Sequence, residues 1–565
     1  MQHYNFNIMN RRSFLGTASK AGIAAALAAI TNVPPFLKRA MAEGTIGSGK
    51  KVLFVWLRFG NDSLNSIIPI LDSAYNNTNR QTLMIPKDPA GNSAYSGTGT
   101  AYFPAAGAGS TYGTYPYAIT LGNGWAGLHP SLKFLAPVYN SGDLALIHRV
   151  AYPKQSRSHF DSQNYWENGN PNNNLSKDGI FYRTIIESGL AGNGVTGVSI
   201  QSALPLILRG SDAAMTNLTD PQRYDLLGIP SITGDPKAMT AIASANTYGY
   251  APKKNRDLLF HQYDNLQQTL NAFGAINFTE AGNTFQDDVK TDSDNAWVPI
   301  NNQGQSIGDA TKGYFLFPTN DDKNGGWRRS ASTVDGNKFA VSRNHESFFY
   351  NLKAAALVLM KTSAIIAGTE IGGFDTHQNQ GTLTGTHPDL QRAIGWALYG
   401  LRKFFMLYGL GGSSQLPGAT VGWNDVVVVT LSEFGRTTVE NTDAGTDHAE
   451  AGAMFVAGGN VKGYGRSASG SGVFNCNPNE PIANSLKWVD GQSGSMFGAS
   501  GRYLSRNTDY RSVLGEIIRE HLGATQNQLN RIIPGYAVSN EYLLGGNTSG
   551  SGIDGVPIRG ELNII

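Results

Sequence analysis

The stretch that decides the fold runs from Asp425 to Val461, DVVVVTLSEFGRTTVENTDAGTDHAEAGAMFVAGGNV. Val426 to Leu431 is a nearly unbroken apolar, mostly β-branched run, the composition of a strand covered on both faces in a parallel α/β sheet. At its carboxyl end the chain turns polar at once, through Ser432, Glu433, Arg436, Glu440, Asn441, Asp443, Asp447, His448 and Glu450. Ligands of open α/β sheets bind in the crevice beyond the strand carboxyl ends, so acids and imidazoles gathered there are candidates for chemistry. A second apolar run, Ala453 to Ala457, ends in Gly458 and Gly459. Charge content alone also fits a solvated loop between two core strands.

Other stretches repeat the pattern. Lys51 to Leu57, KVLFVWL, predicts the first strand, followed by Arg58, Phe59, Gly60, Asn61 and Asp62; Asn61-Asp62 is equally ordinary turn chemistry. Gly127-Leu128-His129-Pro130 predicts a helix from Pro130 through Tyr139, and Asp143 to His148 the next strand. In Ser156-Arg157-Ser158-His159-Phe160-Asp161 a helix opens that runs to about Trp166 and stops near Gly169. Ser158 with Asp161 three residues on reads as an N-cap. The same position also sets a hydroxyl where backbone N–H groups and the helix dipole favour an anion, as a phosphate-binding nucleophile requires.

Further on, the spacing predicts a helix over Ser347 to Thr362, a strand over Ala364 to Thr369 and a helix over Asp389 to Tyr408. Beyond that strand lies Gly372-Gly373-Phe374-Asp375-Thr376-His377, where Asp and His two apart can both reach one metal ion. Asp-x-His also occurs in plain turns. Two regions look like insertions: about 75–116, rich in Ala, Gly, Ser, Thr and Tyr, and about 211–344, with one helix expected over Leu258 to Phe273.

Residues 1–42 read as a targeting segment. Asn10-Arg11-Arg12-Ser13-Phe14-Leu15 is a twin-arginine pattern, Ala21 to Ile30 a short apolar stretch, and Ala40-Met41-Ala42 a small-x-small cleavage site. The expectation is export to the periplasm or the medium by the twin-arginine machinery, with residues 43–565 as a single mature domain; an uncleaved anchor is the alternative. No stretch after it is long and apolar enough to span a membrane. Twin-arginine export carries folded chains, which favours a bound metal or cofactor without establishing one.

Composition closes several routes. The single cysteine, Cys476, excludes an intrachain disulfide framework and a thiolate-rich metal site, so any metal must be held by Asp, Glu, His or hydroxyl groups. A net charge of +2 over 565 residues gives no sign of a nucleic acid partner. No short-period repeat, haem attachment pattern or dinucleotide fingerprint is present.

Taken in order, LRFGNDSLN, GLHP, SRSHFD, GGFDTHQNQ, LSEFGRTTVEN, GTDHAEAG and TDYRSVLGEI resemble the secreted family catalogued as domain of unknown function 1501. That family is in turn similar to the alkaline phosphatase and sulfatase superfamily. The resemblance implies an α/β fold of three layers, a mostly parallel central sheet between helices, with metal sites at the strand carboxyl ends and loop-rich insertions. It implies Asp62 as the acid after the first strand and Ser158 as the nucleophile, with His159 beside it. Asp375, His377 and His448 would form a first metal site, with Asp447 as a further candidate ligand. The second site's Asp-His pair reads here as Glu433-Phe434, and phenylalanine cannot bind a metal.

The expectation is therefore an exported hydrolase of phosphate or sulfate esters, small or polymeric. It would depend on a divalent ion such as zinc, manganese or calcium, with a serine or a metal-bound water as nucleophile. Arg58, Arg157 or Arg436 would hold the anion by bidentate hydrogen bonds. The competing expectation is a scaffold of the same fold that has lost catalysis and serves as a secreted binding or assembly protein.

Overall fold

The computed structural model describes residues 46–89, 91, 116–190, 195–213, 215–221, 269–278, 316–317, 343–477, 502–537, 541–547 and 555–565. The expected twin-arginine segment, most of the two expected insertions and most of the helix expected over Leu258 to Phe273 lie outside them; residues 269–273 of that expected helix are helical.

The main sheet comprises β1 (Lys51–Leu57), β2 (Leu144–Ala151), β3 (Gly197–Ile200), β4 (Thr216–Leu218), β5 (Ile366–Ile371), β6 (Val426–Leu431), β7 (Gly452–Gly458), β8 (Val473–Phe474) and β9 (Thr508–Asp509). Its order is β8-β2-β7-β6-β1-β5-β3-β4, with β9 also pairing β2. All neighbours are parallel except β7, which runs against both β2 and β6. The chain thus has a mixed, mostly parallel α/β fold. The longer helices are α1 (His159–Asn168), α2 (Ile180–Glu187), α3 (Glu346–Lys361), α4 (Thr386–Tyr408), α5 (Tyr510–Glu516) and α6 (Gln526–Ile532).

β1 sits mid-sheet, and every one of its residues is buried. Alternate side chains of a strand point to opposite faces. Leu53, Val55 and Leu57 accordingly join one core with Leu352 and Leu357 of α3 and Ile394 and Phe404 of α4. Val52, Phe54 and Trp56 join the other with Ile180 and Ile185 of α2, Leu514 of α5 and Leu529 of α6. Each fully buried Leu, Ile or Phe of these two cores contributes about 1.5–3 kcal/mol of burial. The result is three layers, and no helix among the described residues is long and apolar enough to cross a membrane.

Three local expectations need correction. The helix expected from Pro130 through Tyr139 is a 3-10 turn, Pro130–Leu132, followed by a separate helix, Leu135–Asn140. Pro137 explains the break, because it has no N–H for the carbonyl of Lys133 and its ring crowds that carbonyl. The strand expected over Ala364 to Thr369 is displaced to Ile366–Ile371, the register in which Val52 to Leu57 pair with it one to one. Finally, the stretch from Tyr75, expected to open an insertion, begins within the core, with Tyr75, Arg80, Leu83 and Ile85 buried. Its apolar residues are too scattered among turn residues to carry a periodic signal.

A candidate metal centre at the strand carboxyl ends

Strand register brings the loops together. β1 pairs β6 through Trp56 and Leu431 and pairs β5 through Leu57 and Ile371, so the chain leaves all three strands at one edge. Arg436 and His448 form an isolated antiparallel bridge, which returns His448 to the end of β6. Gly435 permits that contact, since a Cβ there would lie 2.0 Å from the Ala451 carbonyl oxygen. From the end of β2 comes α1, capped by Ser158, whose oxygen accepts from the Asp161 N–H, and closed by Gly169 in the left-handed conformation. Its first residue is His159.

Arg436 ties these loops to one another. It is fully buried, and its Nε donates to the Gly60 carbonyl, Nη1 to that of Thr446, and Nη2 to those of Phe59 and Phe374 and to Asp375 Oδ1 at 2.6 Å. Fully buried and directed at acceptors within the protein, Arg436 is a bracket between loops and presents no open fork to a substrate anion. Arg58 is likewise engaged, by Glu167 at 3.0 Å and Glu370 at 2.8 Å, and lies over the Trp56 ring. Arg157 pairs with Glu450 at the surface and stacks on Tyr503.

Asp375 Oδ1 is the centre of the cluster. His377 Nε2 and His448 Nε2 each stand 3.1 Å from it, and His159 Nε2 3.6 Å. The two nitrogens of His377 and His448 are themselves 2.9 Å apart. Partial burial by itself would raise the Asp375 carboxyl; the hydrogen bond and charge of Arg436, with His448 and His377, outweigh it and hold the group down at about 2. The carboxylate is therefore ionised at neutral pH. Burial pushes His448 below its usual value, which favours the neutral, ligating form.

Each imidazole is oriented from behind, as metal-ligating histidines are. His159 Nδ1 meets Glu433 Oε1 at 2.9 Å, His377 Nδ1 meets Asp447 Oδ1 at 3.1 Å, and His448 Nδ1 meets the Arg157 carbonyl at 2.9 Å. Asp447 is held in turn by Asn441 and Arg502. Glu433 Oε1 also accepts from the Phe59 N–H and from Gln163, and although burial opposes it these contacts, led by His159, lower its carboxyl. Phe434 is buried with its ring centroid 4.8 Å from that of His159 and 4.6 Å from that of His448, so it walls the cluster.

Does this donor set suit a cation? Ligand atoms of His159, Asp375 and His448 all lie within 4.8 Å of one another. The buried His159 Nε2 has no hydrogen-bond partner among the described residues, nor does Glu433 Oε2. Imidazole nitrogens of His377 and His448 facing one carboxylate oxygen, with the unpartnered His159 Nε2 beside them, make a nitrogen and oxygen donor set of the kind that holds a divalent cation. The residues fit a divalent ion.

The structure thus gathers Asp375, His377, His448 and His159, with Glu433 and Asp447 in the ring behind them. His159, expected beside Ser158 as the nucleophile, stands also among the candidate ligands. Asp62 does not join: it is fully buried, with Arg80 at 2.6 Å, Gln380 at 2.7 Å and the Leu64 N–H at 3.2 Å. Ser158 is placed as a cap. Arg80 and Arg502 carry no sequence signal, for they bear no recognisable spacing to Asp62 and Asp447, the groups they hold.

No curated protein and no solved structure matches the chain. Residues 343–475, the span that carries Asp375, His377, Glu433, Asp447 and His448, match the sequence model of the family described as protein of unknown function (DUF1501).

Proposed function

We propose that this chain is an exported, metal-dependent hydrolase of phosphate or sulfate esters, in which water is the nucleophile. One observation carries the reading: three ligand atoms from distant loops converge, and the one on His159 is buried and unpartnered. The mostly parallel sheet with its cluster at the strand carboxyl ends further supports the resemblance to alkaline phosphatases and sulfatases. The twin-arginine pattern of residues 10–15 supports export.

His159, Asp375 and His448 would hold the ion, and His377 stands against the same Asp375 oxygen. A divalent ion bound there would polarise an ester oxygen and make water acidic enough to attack near neutral pH. Imidazole nitrogens favour zinc over manganese and calcium, the latter preferring oxygen ligands. Glu433 and Asp447 keep His159 and His377 in the tautomers that turn Nε2 lone pairs inward. Among the described residues, Arg157 and Arg502, ion-paired with Glu450 and Asp447 at the exposed rim, are cations that an anionic substrate would meet. Ser158 spends its oxygen on the helix N-terminus, which favours water over serine as nucleophile.

The second reading, a binding or assembly protein on the same scaffold, draws support from the buried bracket role of Arg436 and from Phe434 at a ligand position of the resemblance. Elemental analysis of the purified mature chain, joined to assays on aryl phosphate and aryl sulfate, separates them. The hydrolase reading expects about one equivalent of metal and turnover, both lost in Asp375→Asn and His448→Ala. A metal-free chain that takes up no zinc and turns over neither ester would establish the second.

A further inference from the structure

Phe59 follows β1 with a φ of 83°, a left-handed backbone that a bulky residue rarely adopts. Such a conformation persists only where its surroundings over-determine it. Here they do: the Phe59 N–H donates to Glu433 Oε1 over 2.8 Å and its carbonyl accepts from Arg436 Nη2. The same Glu433 oxygen meets His159 Nδ1 at 2.9 Å, and the same Arg436 nitrogen donates to Asp375 Oδ1 at 2.6 Å. The main chain at residue 59 is therefore locked to two of the candidate ligands.

Glycine would make both backbone bonds without strain, so the fold does not call for a benzyl group at this point. Nor does the core use it, since Phe59 is 40% exposed while Phe54, Trp56 and Leu57 before it are buried. Its ring meets the His159 imidazole edge-on, with centroids 5.4 Å apart, and lies near Gly372, where a Cβ would be 3.5 Å from it. The neighbouring Gly372 and Gly373 offer no side-chain donors for the hydroxyls of a sugar.

We propose that Phe59 is a specificity-determining residue whose ring receives the organic part of the ester, and that this part is a flat aryl group. The inference rests on the hydrolase reading. An aromatic ring placed beside the candidate ligands gains edge or offset contacts with an aryl ester that a short alkyl ester cannot make. The strained backbone is retained because it aims the ring.

The test uses phosphonates, whose P–C bond resists hydrolysis. Phenylphosphonate and ethylphosphonate are titrated calorimetrically into the full mature chain supplied with zinc, and thermal melts are recorded alongside. The unaltered chain is expected to prefer the phenyl compound. Phe59→Ala and Phe59→Gly should each shrink that preference by about threefold to tenfold, and Phe59→Tyr should retain it. Phe59→Gly should melt no lower than the unaltered chain. Equal affinity for both phosphonates, an undiminished preference in the Gly and Ala variants, or a lower melting temperature in Phe59→Gly would each overturn the inference and leave the hydrolase reading standing. Failure to bind either phosphonate would overturn both.

Discussion

Asp62 and Asp375 both stand a few residues beyond neighbouring parallel strands, β1 and β5, yet their surroundings are opposite. Asp62 is sealed, with its oxygens matched to donors on Arg80, Gln380 and the Leu64 backbone. The Asp375 side chain is 42% exposed and faces imidazoles, groups that accept as readily as they donate. Gln380 links the two regions: its carbonyl oxygen accepts from Thr376 and Thr446, in the loops that carry Asp375 and His448. The sealed cluster is the footing on which the open one stands. A carboxylate whose lone pairs all meet donors has completed its chemistry at folding, whereas Asp375, which accepts from Arg436, also faces imidazole nitrogens that a cation can bridge to it.

That contrast can be broken by mutation, and the largest effect belongs to the sealed side. Arg80→Ala would strand a fully buried Asp62 charge and cost about 3–5 kcal/mol, read as a large fall in denaturant midpoint. Loss of less than about 1 kcal/mol would show that water reaches Asp62 and that the two regions are not so different.

Next comes the open side. Zinc at one hundred times its dissociation constant would raise stability by about 2.7 kcal/mol, seen as a higher melting temperature, and His159→Ala would abolish most of the rise. A rise of the same size in that variant would remove His159 from the ligand set.

Acid distinguishes the regions again. Arg80, overcoming the cost of burial, depresses the Asp62 carboxyl to about 2 in the folded chain, below its unfolded value. The sign follows directly: this stability is fully present above about pH 4 and is lost as pH falls towards 2, on the order of 2 kcal/mol in all. Equilibrium unfolding in urea across that range should show the loss, and Asp62→Asn should flatten it.

The smallest effect sharpens the assignment of Ser158. As a cap its replacement by alanine should cost about 1 kcal/mol in stability, with hydrolysis persisting. Abolished turnover in a folded, metal-loaded Ser158→Ala chain would return the serine to the role of nucleophile.

Local signals in this chain were legible because their physics is local. β1 and β6 read correctly as strands from continuous apolar runs, and α1 from a hydroxyl cap and a terminal glycine, for each depends on residues within one turn or one strand. Asp375 and His448 stood out for the same reason, as polar residues directly beyond such runs. Insertion boundaries were harder, since the buried Arg80 lies in a stretch of turn-forming composition.

An α/β chain with chemistry-bearing residues at its strand ends is written in the local pattern of residues alone. Packing across the whole molecule is what sets β7 antiparallel, brings His159 to Asp375 across more than two hundred residues of chain, and turns Arg436 and Arg58 inward. Those facts turn on strand order and register, which follow from the packing of both faces of the sheet at once. No window of sequence contains that information, because the free energy that selects one register is shared among side chains far apart in the chain.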